Sequence, residues 1–191
     1  MIADTLILAS RLLTTIGLAT GATGEQFTLT SADFSPGGTL NDEQAFDGMG
    51  CTGQNVSPAL RWSGAPAGTK SYALLLHDPD APTGGAGWWH WIAYDIPANT
   101  TELRKGAGKA DGSAMPAGAK SVNNDYGTPG YGGPCPPAGD KPHRYVFTLY
   151  ALKVDKLELP HGAHAPVVGF VVNANTIGKA SVTGMYGRAK A

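Results

Sequence analysis

Cysteine is scarce in this chain of 191 residues, and the only two, Cys51 and Cys135, stand about eighty residues apart in Gly-rich surroundings. That spacing is unlike the close Cys pairs of metal sites, so a zinc centre is not expected. Charge is scarce too, at 15% of residues with a formal net charge of −1. There is no basic footprint for nucleic acid or for an anionic membrane surface. Long apolar runs are missing as well: Leu6–Ala9 and Leu12–Ala19 are separated by Arg11, and neither reaches the roughly 18 residues that a spanning helix needs. No integral membrane anchor is expected. Ser63 and Ser71 lack a nucleophile-elbow motif, and no His-x-His or His-Glu-x-x-His pattern occurs. Gly127–Gly133 lacks the Lys-Ser/Thr ending and following helix of a phosphate-cradling P-loop, and no resident cofactor or metal is signalled.

What the chain has in abundance is Gly and Pro, 27 and 14 residues, beside an apolar content of 42%. This balance points to a loop-rich β protein with a normal core rather than a helical bundle or a disordered chain. The length suits one domain. Residues 1–24 read as an imperfect leader, with small residues at Ala19, Gly21 and Ala22 for cleavage and Asp4 in place of a positive start; residues 25–191 then form the mature domain. An exported form, periplasmic or secreted, is expected, with a cytoplasmic one as the alternative. In an oxidising compartment Cys51 and Cys135 can pair, closing a loop long enough to stabilise by roughly 4 kcal/mol; two unlinked thiols remain the other reading.

Short apolar runs between turn clusters predict strands over Phe27–Thr30, Ala59–Trp62, Ser71–Leu76, Trp89–Asp95, Tyr145–Leu152 and Ser181–Tyr186. Their spacing suggests an antiparallel sandwich or barrel. Ala98–Leu103 reads as a weak helical turn, and Pro166–Asn175 as either a helix or a Val-rich strand. Gly106–Gly139 shows no sustained period and is expected to be a long structured loop.

Two Pro-bracketed segments carry most of the site-like polar residues. The first runs from Asp78-Pro79-Asp80-Ala81-Pro82 to Trp88-Trp89-His90-Trp91, and the second is Pro142-His143-Arg144-Tyr145. Strict strand alternation places Trp88, His90 and Ile92 on one face and Trp89, Trp91 and Ala93 on the other. By the same count His143, Tyr145 and Phe147 face away from Arg144 and Val146. One imidazole from each strand, the Tyr145 hydroxyl and the Asp78 and Asp80 carboxylates can then converge. Protonated imidazoles and a phenol would hold a phosphate without any Lys, strengthening as pH falls from about 8 to 6. A mixed Asp/His metal site and acid–base catalysis compete with that reading. So do structural roles: Asp80 paired with Arg144 as loop support, His90 and His143 as satisfied core residues, Trp62, Trp89 and Trp91 as core, and His161 and His164 as solvent-facing.

Asn55, Ser57-Pro58, Trp62, the Asp-Pro-Asp-Ala-Pro run, Gly87-Trp88-Trp89-His90-Trp91, Ile96-Pro97, Cys135-Pro136-Pro137 and Pro142-His143-Arg144-Tyr145 together resemble the phosphatidylethanolamine-binding protein family. The match is closest to its bacterial Raf-kinase-inhibitor-like branch. The resemblance implies a mainly β fold, an antiparallel β-sandwich with a few short helices and long loops, and favours a helix at Pro166–Asn175. It implies a small anion pocket lined by Asp78, Trp88, His90, Pro137, His143 and Tyr145, for a phosphate-containing small molecule or a phospholipid headgroup. It also implies bridging of Cys51 with Cys135, as in exported members of the branch, and a pocket more open than in the eukaryotic branch, whose extra C-terminal helix has no counterpart after Tyr186. Relatives that inhibit kinases or proteases imply an alternative, a protein partner engaged around the pocket. A small-molecule enzyme is the less favoured reading, and no catalytic residue is assigned.

Overall fold

The computed structural model describes residues 25–190. The leader expectation for residues 1–24 lies outside them. Five strands form the main sheet: β5 (Ser71–Asp78), β6 (Trp88–Pro97), β8 (Lys120–Ser121), β9 (His143–Leu152) and β10 (Thr176–Tyr186). Their spatial order is β10-β9-β5-β6-β8, and every neighbouring pair is antiparallel. A second sheet orders β1 (Thr28–Ser31), β4 (Leu60–Ser63) and β7 (Glu102–Leu103) as β1-β4-β7, and β2 (Asp47–Gly48) pairs with β3 (Cys51–Thr52) in a small hairpin. The sheets stay separate and do not close into a barrel.

Strand β5 is central in the main sheet and covered on both faces, which is why its sequence, Ser-Tyr-Ala-Leu-Leu-Leu-His-Asp, is an almost unbroken apolar run rather than an alternating one. Leu74 and Leu76 pack toward the smaller sheet with Trp62, Trp91, Tyr145, Phe147 and Leu149. Ala73 and Leu75 pack on the other face with Ile92, Leu152 and helix α1 (Ala165–Asn175) through Val168 and Val172. Pro166 at the first turn suits a helix start, since its missing N–H would have no intrahelical acceptor there. The Val-rich segment is therefore helical, and it is the one helix among the described residues rather than one of a few. None is long and apolar enough to cross a membrane.

All six predicted strands are present with shifted ends. Ala98–Leu103 departs from its reading: instead of a helical turn it ends in β7, whose Leu103 and Glu102 pair with Leu60 and Arg61 of β4. The long Gly106–Gly139 segment holds a single two-residue strand, β8.

Strand β6 departs from strict alternation. Leu76 pairs with Trp91 and His77 with Trp89, leaving His90 as the extra residue of a β-bulge. The bulge turns His90 and Trp91 to the same side. Trp91 joins the core facing the smaller sheet, whereas Trp89 and Ile92 pack on the helix side. The expectation that His90 and Ile92 share a face is thus corrected, because the one inserted residue flips every side chain beyond it.

Candidate functional site

Asp78 ends the central strand, with Trp88 opposite it on β6 and His143 and Tyr145 entering from β9. Gly87 lets β6 start so close to that end: its φ is +71°, and a Cβ there would run into the His77 ring and the Asp78 carbonyl. The ends of these three strands and the loops beside them enclose a cavity of about 220 Å³. Asp78, Trp88, His90, Pro137, His143 and Tyr145 all line it. Asp80 and Arg144 do not.

Asp78 is a fully engaged carboxylate. Its Oδ1 accepts the backbone N–H groups of Asp80 (2.8 Å) and Ala81 (3.1 Å), and its Oδ2 accepts from His143 Nδ1 at 2.8 Å. Both side chains of this pair are almost fully buried. His143 Nε2 lies 3.7 Å from Asp140 Oδ2. Asp80 turns outward, gripping Arg144 through a two-pronged contact of 2.8 and 2.6 Å and also accepting its backbone N–H at 2.9 Å. The guanidinium holds the Asp80 carboxyl down to about 2.

His90 sits differently. Its Nδ1–H donates to the Gly132 carbonyl at 2.7 Å, which leaves Nε2 buried without a partner. Burial drives its pKa down to about 4, so the ring is neutral near pH 7 and Nε2 is an acceptor. The expectation of a preformed imidazolium at this position is corrected: the ring is wholly removed from water, and no carboxylate bonds to it. Tyr145 Oη and Trp88 Nε1 are likewise buried and unpartnered. Burial and the neighbouring Asp78 charge push the Tyr145 phenol far above its ordinary value, so it remains a donor.

Several lining residues were not legible from the sequence. Tyr126 stacks on Phe46 at 3.8 Å between centroids and meets Trp88 and His90 edge-on at 5.2 and 5.6 Å. Its hydroxyl is pinned to the Gly133 carbonyl at 3.0 Å. The Gly127–Gly133 loop is held by further hydrogen bonds. Gly132 N–H donates to the His90 carbonyl, Asn124 Nδ2 to the Gly130 carbonyl, and the buried Tyr131 hydroxyl to the Gln44 carbonyl. Met49 and Cys135 complete one wall, and Cys135 is disulfide-bonded to Cys51. Of the remaining aromatic and imidazole side chains, Trp62 and Trp91 are core, Trp89 is half-buried against the His77 ring, and His161 and His164 are exposed.

A family model described as phosphatidylethanolamine-binding protein matches residues 30–187, which include every strand that builds this cavity. The chain belongs to that family. YbcL of Escherichia coli K12 is 48% identical over 160 residues, covering 84% of this chain and 87% of the relative. YbhB of the same strain is 43% identical over 158 residues, covering 83% and 98%. LppC of Mycobacterium tuberculosis H37Rv, named as a lipoprotein, is 38% identical over 174 residues, covering 91% and 79%. The crystal structure of E. coli YbcL, described as a member of the mammalian PEBP family, superposes with a TM-score of 0.82 at 47% identity, covering 85% of this chain and 99% of that one. The bacterial branch of the phosphatidylethanolamine-binding family therefore accounts for the fold.

Proposed function

We propose that the cavity is a binding site for a small phosphate-bearing ligand, a phosphomonoester such as phosphoethanolamine or a phospholipid headgroup that ends in a monoester phosphate. Family membership supports a binding role in general. The observation that carries the finer reading is the trio of buried, unpartnered polar atoms on residues that line the cavity: Trp88 Nε1, His90 Nε2 and Tyr145 Oη. Each such group costs about 1–3 kcal/mol when left unsatisfied, so three of them on one cavity call for a ligand that brings partners.

The donor set decides which ligand. Indole N–H and phenol O–H can only serve, or best serve, oxygen acceptors, whereas the neutral His90 Nε2 needs a donor. A phosphomonoester with a second pKa of about 6 supplies both kinds of oxygen, a P–O⁻ and a P–OH. One proton is thus shared between ligand and His90. Affinity strengthens as pH falls from about 8 to 6 because that proton must be present, not because the ring is charged beforehand.

Calorimetric titration with phosphoethanolamine and with ethanolamine, on wild type, His90→Ala and Tyr145→Phe, tests the reading. Binding of the phosphate alone, weakened in both variants and with heats at pH 7.5 that scale with the buffer's ionisation enthalpy, supports it. No phosphate binding by folded wild type would sink it and favour a protein-partner inhibitor acting through the pocket rim. Because disulfides persist in oxidising compartments, the Cys51–Cys135 bond, with a lipoprotein among the relatives, supports a periplasmic or secreted location.

A further inference from the structure

Two consecutive peptide groups, Tyr131–Gly132 and Gly132–Gly133, are held between Asn55 and His90. In the first, the Tyr131 carbonyl accepts from Asn55 Nδ2 at 3.2 Å, while the Gly132 N–H donates to the His90 carbonyl at 2.8 Å. In the second, the Gly133 N–H donates to Asn55 Oδ1 at 2.7 Å, while the Gly132 carbonyl accepts from His90 Nδ1 at 2.7 Å. Each peptide has one end on Asn55 and the other on His90. Asn55 itself does not line the cavity, whereas His90 does. The Asn55 backbone has a φ of +54°, a left-handed conformation that Asn tolerates, and its own N–H is fixed to the Ala45 carbonyl at 2.8 Å.

The Gly132–Gly133 peptide decides what His90 offers. A trans peptide points its N–H and C=O in opposite directions, so the bond to Asn55 Oδ1 turns the carbonyl toward the imidazole. A carbonyl only accepts, which puts the ring proton on Nδ1 and leaves Nε2 bare. Rotated by half a turn, the same peptide would aim the Gly133 N–H at Nδ1, and the ring proton would sit on Nε2. Both residues of that peptide are glycine, so no β-carbon on either side resists the rotation. The bonds of Tyr126 Oη to the Gly133 carbonyl and of the Gly132 N–H to the His90 carbonyl belong to the neighbouring peptides and do not choose between the two orientations. We propose that Asn55 is a positioning residue: by fixing the Gly132–Gly133 peptide it sets the His90 tautomer, and so makes Nε2 of this cavity-lining residue an acceptor rather than a donor.

Long-range proton–nitrogen NMR at pH 7 on protein labelled at histidine reads the tautomer directly, the His90 signals being those that His90→Gln removes. Wild type should show Nδ1 protonated and Nε2 bare. Asn55→Gly leaves the left-handed backbone unstrained and deletes both side-chain bonds, and most of the His90 population should shift to the Nε2–H form. Asn55→Asp keeps the acceptor for the Gly133 N–H and should keep the wild-type signature. Asn55→Ser, whose hydroxyl ends one bond short of both partners, repeats the deletion should the glycine variant not fold. An Nε2–H form in wild type, an unchanged signature in the folded Gly or Ser variant, or a signature lost in Asn55→Asp overturns the assignment and leaves Asn55 a structural residue. A calorimetric arm rests on the phosphate reading: phosphoethanolamine should take up less proton on binding folded Asn55→Gly at pH 7.5 than on binding wild type, because Nε2 then carries its own. Failure of wild type to bind phosphate sinks that reading alone, and the NMR result still decides the role of Asn55.

Discussion

His143 Nδ1 and Asp78 Oδ2 stand 2.8 Å apart between two side chains that are almost wholly withdrawn from water. The carboxylate is not a free charge aimed at a ligand. It ties the end of the central strand to the loop after it through two backbone N–H groups, and it sets which nitrogen of His143 carries the proton.

Asp78→Ala should accordingly act first on stability. It strands a buried imidazole and two loop N–H groups at once, for a loss of about 3–5 kcal/mol. Chemical denaturation at pH 7 measures this directly. A loss below about 1 kcal/mol would show that water replaces the carboxylate at little cost and that the Asp78 network does not hold the strand end.

His90 gives the protein an acid-sensitive element with a defined window. Its folded pKa, about 4, is depressed below the ordinary 6.5, so the unfolded chain binds a proton more readily between those values. The stability of the neutral buried ring is fully present above pH 6.5 and is lost as pH falls toward 4, by roughly 3 kcal/mol across the window. His90→Gln keeps a polar side chain and removes the titration. Urea unfolding from pH 7.5 down to 4.5 should fall more steeply for wild type than for this variant; parallel curves would mean that other groups carry the acid sensitivity.

The site was partly legible because rigid strand ends put its residues in fixed sequence relation. Alternation set Trp88 beside His90 and Tyr145 beside His143, the strand end brought Asp78 near them, and the family resemblance named these residues with Pro137 as the lining of one pocket, where all of them line the cavity. The placement of His90 was legible only by chance, since alternation put it beside Ile92 while the bulge separates the two. A single inserted residue leaves no periodic trace in a run of Trp-Trp-His-Trp. Tyr126 and Met49 were missed for another reason: both reach the cavity from irregular loops through long-range contacts, Tyr126 by stacking on Phe46 and Met49 by the disulfide. Strands β2, β3, β7 and β8 have two residues each and fall below any pattern signal. The helix was decided by resemblance, because its Val-rich sequence carries little helix preference of its own.

Tyr145→Phe separates the two uses of a buried hydroxyl. Most buried Tyr O–H groups have a partner, and deleting them destabilises a protein by about 1 kcal/mol or more. Tyr145 Oη has none among the described residues, and its ring is fully buried against the edge of His90 at 5.2 Å between centroids. Removing an oxygen that makes no bond relieves an unsatisfied group while the ring packing stays. The unliganded variant should therefore unfold within about 0.5 kcal/mol of wild type, or slightly above it. Ligand binding should respond in the opposite sense if the proposed anion site is correct, because the same oxygen is an unpartnered donor on a residue that lines the cavity. Phosphate affinity should weaken by about 1–1.5 kcal/mol, close to a tenfold rise in Kd. Paired thermal unfolding and calorimetry on one preparation read both quantities. A large loss of stability with unchanged binding would reverse the assignment and make Tyr145 a structural residue alone.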